Sequence, residues 1–248
     1  MDFAQLDPSV LLTSDGLIAL LTLTALEIVL GIDNIIVISI LSGELHGKER
    51  QRKAQRTGLA LAMITRLLLL FSISFIMGLQ EPWVTIGDND FSGRDVVLAL
   101  GGLFLIYKAT VEIRAKVEHK REKEGPQRKA TSMVSVVLQI IVIDIVFSLD
   151  SVITAVGMSN QLIIMSLAVI IAVLIMMVAS ASIADFVNKH ATVKVLALAF
   201  LVVIGVALLM EGFGEEVEKK YIYFAMAFSV MVEFLNLRMR LNEQKLNK

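Results

Sequence analysis

The amino-acid sequence predicts an all-α membrane protein with seven transmembrane helices, and three observations support that fold class. Of the 248 residues, 56% are hydrophobic and 19% are charged, whereas soluble domains contain about 25% charged residues. The mean hydropathy is +0.75. The apolar residues form long runs rich in Leu, Ile and Val without the alternation that barrel strands show, which favours helices.

The seven spans follow from the length of the apolar runs. A bilayer core of about 30 Å requires about 20 apolar residues per helix, and seven segments meet or approach that length. They cover residues 16–41, 57–79, 95–113, 131–157, 161–183, 193–213 and 221–238. The charged segment 114–130, which contains Gly125 and Pro126, is predicted to be a solvated cytoplasmic linker.

The distribution of Lys and Arg predicts the orientation, because short cytoplasmic loops carry an excess of these residues. Most of the 23 cationic residues fall in the 42–56 loop, in the 114–130 linker, around residue 189 and in the C-terminal tail. The 80–94 and 214–220 loops are acidic instead. We therefore expect the N-terminus outside and the C-terminus in the cytoplasm, an arrangement that needs an odd number of spans.

An internal repeat divides the predicted single transmembrane domain, residues 1–248, into parts. Residues 27–38, EIVLGIDNIIVI, match residues 144–155, DIVFSLDSVITA, and residues 97–109 match 195–207 in the same order. The first repeat covers 16–113, the second covers 131–213, and the seventh helix at 221–238 lies outside both. Because each repeat has three spans, the two must cross the membrane in opposite senses, as in many secondary transporters.

The repeat retains acidic residues well inside the first and fourth spans. Its polar positions pair Glu27 with Asp144, Asp33 with Asp150, and Asn34 with Ser151. An Asp at the centre of a membrane helix costs about 2.5–3.5 kcal/mol even on lenient scales. These six residues are therefore candidate metal-site residues, and the alternative is that they are protonated or hydrogen-bonded contacts between helices.

The spacing inside each motif leaves two arrangements open. Glu27 and Asp33 are about 9 Å apart along an ideal helix and about 120° apart around it, so a straight helix cannot aim both at one ion. Either Gly31, aligned with Ser148, is a helix break whose carbonyls also bind the ion, or the acids form a midplane site with flanking sites in series.

The oxygen donors in these motifs suit a hard divalent cation such as manganese, magnesium or calcium. The chain has no Cys, and its three His residues lie in predicted loops. We expect no tightly bound cofactor: the divalent metal ion, Mn²⁺ or another hard cation, is the transported substrate. Membrane lipids are the other expected partners. The net charge of −1 argues against a strongly basic nucleic-acid binder, and homo-oligomerisation stays open.

Three further charged residues in or near the spans are candidates for charge balance or gating. Arg66 lies deep enough to pair with a carboxylate and to balance the charge of the site when the metal leaves. Lys108 either reaches the cytoplasmic interface or pairs with an acid. Glu233 lies near the inner end of the seventh span, where an interfacial position is the alternative.

The motifs together resemble one family. EIVLGIDN, GGLFLIYKA, DIVFSLDSVITAVG, SIADFVNKH and YIYFAMAFSVMVEFLNLR are similar to segments of the TerC family of integral membrane proteins, named for tellurium resistance. The resemblance implies seven helices, a bacterial inner-membrane location and manganese efflux, with the six polar residues of the repeat at the ion site. Tellurite is an oxyanion, so we expect any link to tellurium to be indirect.

We therefore interpret the protein as a divalent-metal exporter, with proton coupling open, and not as an enzyme. One alternative is a non-transporting membrane partner in a metal or tellurium stress-response complex. A remote alternative is an intramembrane aspartyl protease that uses Asp33 and Asp150 as its acid and base. Ile32 and Leu149 precede these residues, where such proteases typically carry a Gly before one catalytic Asp.

Overall fold

The computed structural model describes residues 8–72, 78–79, 81–86, 89–118, 132–158, 161–215 and 217–246. The backbone of Asp33 and of Asp150 is helical, but the side chains of these two residues lie outside the described part. Most of the predicted 114–130 linker also lies outside it.

Seven helices in the described residues are long and apolar enough to cross a membrane, which confirms the predicted number of spans. A short 3-10 helix, Pro8–Leu12, precedes them. The seven helices are α1 (Ser14–Ser42), α2 (Lys48–Phe71), α3 (Gly93–Val117), α4 (Met133–Met158), α5 (Leu162–Lys189), α6 (Ala191–Gly212) and α7 (Lys219–Leu246).

The second span differs from its predicted bounds of 57–79. The helix α2 begins at Lys48, so most of the predicted 42–56 loop is helical. At its other end α2 stops at Phe71, where the Ser72 N–H bonds to the carbonyls of Leu68 and Leu69. The early start has a physical cause. Ala54 and Gln55 are buried while the Lys and Arg residues around them are exposed, so the first turns of α2 are amphipathic, with one buried and one charged face.

A small antiparallel sheet interrupts the predicted acidic loop between the second and third spans. Strand β1 (Pro82–Ile86) pairs with β2 (Asn89–Ser92), with an irregular register between Pro82 and Val84. Trp83 packs against the start of α3, where a Cβ added to Gly93 would lie 2.7 Å from its ring. The all-α prediction thus holds for the spans but missed this hairpin.

The first of two compact units comprises Met1–Arg94 and Glu124–Asn188. It contains α1, α2, the hairpin, α4 and α5. The helix α2 packs against both α1 and α4, and α1 also contacts α4. Exposed ion pairs from Lys48 and Arg52 to Asp185 connect the start of α2 to the last turns of α5. This unit holds the candidate functional site.

The second unit comprises Asp95–Lys123 and Lys189–Lys248, and it contains most of α3 together with α6 and α7. The backbones of α3 and α6 meet at two glycines: a Cβ added to Gly102 would lie 2.5 Å from the carbonyl oxygen of Gly205. The helix α7 contacts α6, and Thr192 donates a hydrogen bond to Glu233 between them. The predicted division into repeats and a seventh helix stays a prediction.

Candidate ion site

Arg66 joins the two repeated acids Glu27 and Asp144 in one cluster. Its Nη1 donates a hydrogen bond of 2.7 Å to Glu27 Oε2. Its Nη2 lies 2.8 Å from Asp144 Oδ1, and its Nε lies 3.2 Å and 3.3 Å from the two oxygens of that carboxylate. A single planar guanidinium therefore bridges one carboxylate from α1 and one from α4.

The cluster is almost fully removed from solvent. The side chains of Arg66, Glu27 and Asp144 are 3%, 3% and 4% exposed. Burying ions costs several kcal/mol each, and only close pairing with good hydrogen bonds offsets that cost. When both carboxylates are ionised the three groups carry one net negative charge, so the cluster can accept one further positive charge or a proton.

Asn34 extends the cluster on the side of α1. Its Nδ2 donates to Asp144 Oδ1 at 3.3 Å, while its own Oδ1 is buried and receives no hydrogen bond from the part of the chain that is described. The contact to a carboxylate fixes the amide orientation, since only the NH₂ group can donate. A buried carbonyl oxygen without a donor is a ligand that a cation or a water molecule would satisfy.

Ser151, the residue aligned with Asn34, makes a different contact. Its hydroxyl donates to the Ser148 carbonyl of its own helix at 3.2 Å, and both serines are buried. The spacing of Asp144, Ser148 and Ser151 places the three on one side of α4. The repeated sequences thus share their acids but not the contacts of the neighbouring polar residue, because the short Ser side chain bonds locally where Asn34 reaches another helix.

The predicted helix break at Gly31 is wrong, since α1 is helical from Ser14 to Ser42. Gly31 is buried against α5 instead: a Cβ added there would lie 2.4 Å from Met176 Sδ. The small residue provides room for a neighbouring side chain without interrupting the helix. The second predicted arrangement, with the acids in series along the helix, stays a prediction.

Contact of the other predicted site residues with this cluster stays a prediction. Asp33 and Asp150 lie in α1 and α4, but their side chains lie outside the described residues. Lys108 is half-buried in α3 and Glu233 is half-buried in α7, where it accepts the hydrogen bond from Thr192. Both belong to the second unit.

A buried polar chain between α1 and α2 was missed by the sequence analysis. Gln55 Nε2 donates to Ser42 Oγ at 2.8 Å, and Ser42 Oγ donates to the Ser39 carbonyl at 3.2 Å. Gln55 and both serines are buried. The five cations around Gln55 in the sequence predict a loop; the signal for a buried position is the pair Ala54–Gln55 at helical spacing from Gly58 and Leu59.

The described residues contain no group of three or more His, Asp or Glu side chains that would hold a metal by themselves. Glu27 and Asp144, with the Asn34 oxygen nearby, supply hard oxygen donors from two helices. In the arrangement described, Arg66 occupies the position between them that a cation would need.

These features define a class of protein: a multi-pass integral membrane protein with an ion-pair cluster buried among its helices, the setting in which substrate and ion pathways occur. The chain belongs to the integral membrane protein TerC family, whose sequence model matches residues 12–248.

Relatives support both the family and the location. The chain is 54% identical to a UPF0053 protein of Haemophilus influenzae over 224 residues, 90% of this chain and 94% of the relative. It is 52% identical to the UPF0053 inner membrane protein YgdQ of Escherichia coli K12 over 220 residues, 89% and 92% of the two chains. It matches 41% of the longer UPF0053 protein YegH of the same strain, at 48% identity over 88% of this chain. No solved structure matches. The protein is a multi-pass inner membrane protein.

Proposed function

We propose that the protein exports a hard divalent cation across the inner membrane, and that Mn²⁺ is its preferred substrate. The single observation that carries the proposal is the bridge from Arg66 to two carboxylates that occupy equivalent positions in the sequence repeat. Buried charges of this kind are expensive in a membrane, and packing alone does not require them. Manganese is proposed because the donors are oxygens and because the family resemblance implies it.

Arg66 acts in this proposal as an internal counter-cation. When the metal ion is absent, the guanidinium bonds to both acids and limits the unbalanced charge to one. When a divalent cation enters, it competes with Arg66 for Glu27 and Asp144, and the guanidinium must leave at least one of them. Binding and release are then coupled to movement of α2, which carries Arg66, relative to α1 and α4.

The proposed route uses the inverted repeat. With the N-terminus outside and the C-terminus inside, the two three-helix repeats would expose the carboxylates alternately to the cytoplasm and to the outside. Asp33 and Asp150 would flank the central acids on opposite sides, and Asn34 and Ser151 would supply neutral oxygen ligands. Exchange of protons for metal on these acids would make the protein an antiporter, which counters the inside-negative potential that opposes cation export.

The test is metal flux into proteoliposomes that contain a manganese-sensitive dye, with and without a pH gradient. Wild-type protein is compared with Glu27→Gln, Asp144→Asn, Asp33→Asn and Asp150→Asn. The matched control is Glu118→Gln, which neutralises an exposed acid at the end of α3. We expect flux from wild type and the control, and loss of flux from the four variants.

Two results would contradict the proposal. One is metal flux at the wild-type rate through a folded variant in which both Glu27 and Asp144 are neutralised. The other is the lack of flux of any hard divalent cation through folded wild-type protein in either orientation, which would favour a role as a non-transporting membrane partner.

A further inference from the structure

A cavity of about 500 Å³ lies beside the first three turns of α2. The described residues that line it are Lys48, Glu49, Arg52, Lys53, Arg56 and Thr57. Four of the six are cations, and all four are exposed. This cavity is separate from the buried cluster around Arg66, and the transport proposal does not use it.

Among the described residues, the cations of the cavity outnumber the carboxylates near them. Asp185 pairs with Lys48 and Arg52, at 4.0 Å and 3.3 Å. Within the described residues, Lys53 and Arg56 have no carboxylate within ion-pair distance. In the described part of the chain, four cations against the carboxylates of Glu49 and Asp185 leave two positive charges in excess on this side of α2.

The position along α2 places the cavity at the level of lipid headgroups. The helix has 24 residues and is therefore about 36 Å long, which exceeds the about 30 Å of a bilayer core. The apolar run of the sequence, residues 58–79, by itself supplies the about 20 residues that a bilayer core requires, and the lining residues all precede it. The lining residues thus lie where the phosphates of the adjacent leaflet are.

The donors suit a phosphate group. Arg side chains present paired N–H groups that match phosphate oxygens, Lys adds a point charge, and the Thr57 hydroxyl can donate. A charged pocket beside a transmembrane helix on the side of the basic loops is a recognised setting for anionic headgroups. A general excess of positive charge would not require a cavity, whereas a headgroup site does.

We propose that this cavity binds the phosphodiester headgroup of an anionic membrane phospholipid, with Lys53 and Arg56 as its principal ligands. Arg50 provides the internal control, because it is an exposed cation on the same helical segment that does not line the cavity. On an ideal helix it lies about 120° from Arg56.

The experiment titrates full-length protein in mixed micelles with dioleoyl phosphatidylglycerol or dioleoyl phosphatidylcholine, which share their acyl chains and differ in headgroup. Retained lipid is counted by native mass spectrometry, and the thermal midpoint is followed in parallel. Wild type, Arg56→Gln, Arg50→Gln and the double variant Lys53→Gln/Arg56→Gln are compared. A further arm adds glycerol 3-phosphate or inorganic phosphate without anionic lipid.

We expect wild type to retain phosphatidylglycerol in preference to phosphatidylcholine. Arg56→Gln should weaken that binding about fivefold and the double variant about 30-fold, while Arg50→Gln leaves it unchanged. Equal weakening by Arg56→Gln and Arg50→Gln would overturn the site in favour of general charge attraction. No preference for phosphatidylglycerol would also overturn it. Binding of free phosphate without binding of the lipid would assign the cavity to a soluble anion.

Discussion

The helices of the two units are held together by different chemistry. In the first unit, α1, α2 and α4 meet at three charged side chains, with Arg66 between Glu27 and Asp144. In the second unit, α3 and α6 meet at Gly102 and Gly205, where the backbones approach closely enough to leave no room for a Cβ. The second arrangement is a common means of helix association in membranes and needs no buried charge.

This difference indicates that the charges of the first unit have a purpose beyond packing. Small residues already provide close contact between helices in the same chain, and they avoid the desolvation of ions. A buried cluster of charges is the less stable way to join helices, which is the reason for proposing a cation-binding role for it. The predictions below test the contrast, from the largest expected effect to the smallest.

Removal of the central cation should have the largest effect on stability. Arg66→Met leaves two buried carboxylates without their cation, and breaking a buried ion pair in this way destabilises proteins by about 3–5 kcal/mol. We expect a marked fall in the thermal midpoint of the detergent-solubilised protein. Combining Arg66→Met with Glu27→Gln and Asp144→Asn should restore much of that stability but no metal flux. A triple variant as unstable as the single variant would show that shape, not charge, dominates this contact.

The two acids should differ in their contribution to the first unit. Within the described residues, Asp144 accepts hydrogen bonds from Nε and Nη2 of Arg66 and from Asn34, whereas Glu27 accepts one from Nη1. Since a hydrogen bond to a charged group contributes about 1.5–3 kcal/mol, Asp144→Asn should lower the free energy of unfolding more than Glu27→Gln. Chemical unfolding in mixed micelles measures the order. The reverse order would mean that the cluster rearranges around Glu27.

The glycine contact of the second unit should respond to volume instead of charge. In Gly102→Ala the new methyl group would lie 2.5 Å from the Gly205 oxygen and 2.8 Å from the Leu209 nitrogen, so α3 and α6 must separate. Forcing volume into a packed contact costs about 1–3 kcal/mol. We expect a lower thermal midpoint, with flux retained by the folded fraction. Gly78→Ala, where no atom of the described residues lies within 4 Å of the added Cβ, is the control and should change neither quantity.

The sequence predicted the spans and the acids of the site, but not how the acids are paired. The repeat identified Glu27 and Asp144, and the depth of Arg66 in its span indicated a carboxylate partner. Arg66 can bind both acids only because α2 packs against both α1 and α4. The periodicity of apolar residues in the sequence does not specify how the helices are arranged. The proposed ion-binding roles of Asp33 and Asp150 stay predictions.

The errors have local causes. Averaged hydropathy does not predict that the charged first turns of α2 are helical. The average combines the buried Gln55 with the exposed cations beside it in the sequence. Gly31 suggested a break from its low helix propensity, but packing against Met176 keeps it helical. The acidic residues predict a loop where the hairpin lies, although the sequence from Trp83 to Ile86 is a β-favouring run followed by Gly and Asp, residue types common in turns.

The smallest effect is expected from a charge pair that water reaches. Arg114 and Glu118 form an ion pair of 2.6 Å at the end of α3, with side chains 73% and 39% exposed. Exposed pairs at this spacing contribute about 0.3–0.5 kcal/mol, and salt screens them. Glu118→Gln should therefore shift the thermal midpoint slightly at low ionic strength and not at all in high salt, whereas the effect of Asp144→Asn should persist there. If high salt removed both effects, the cluster around Arg66 would have to be open to ions from solution, and the contrast between buried and exposed charge in this protein would not hold.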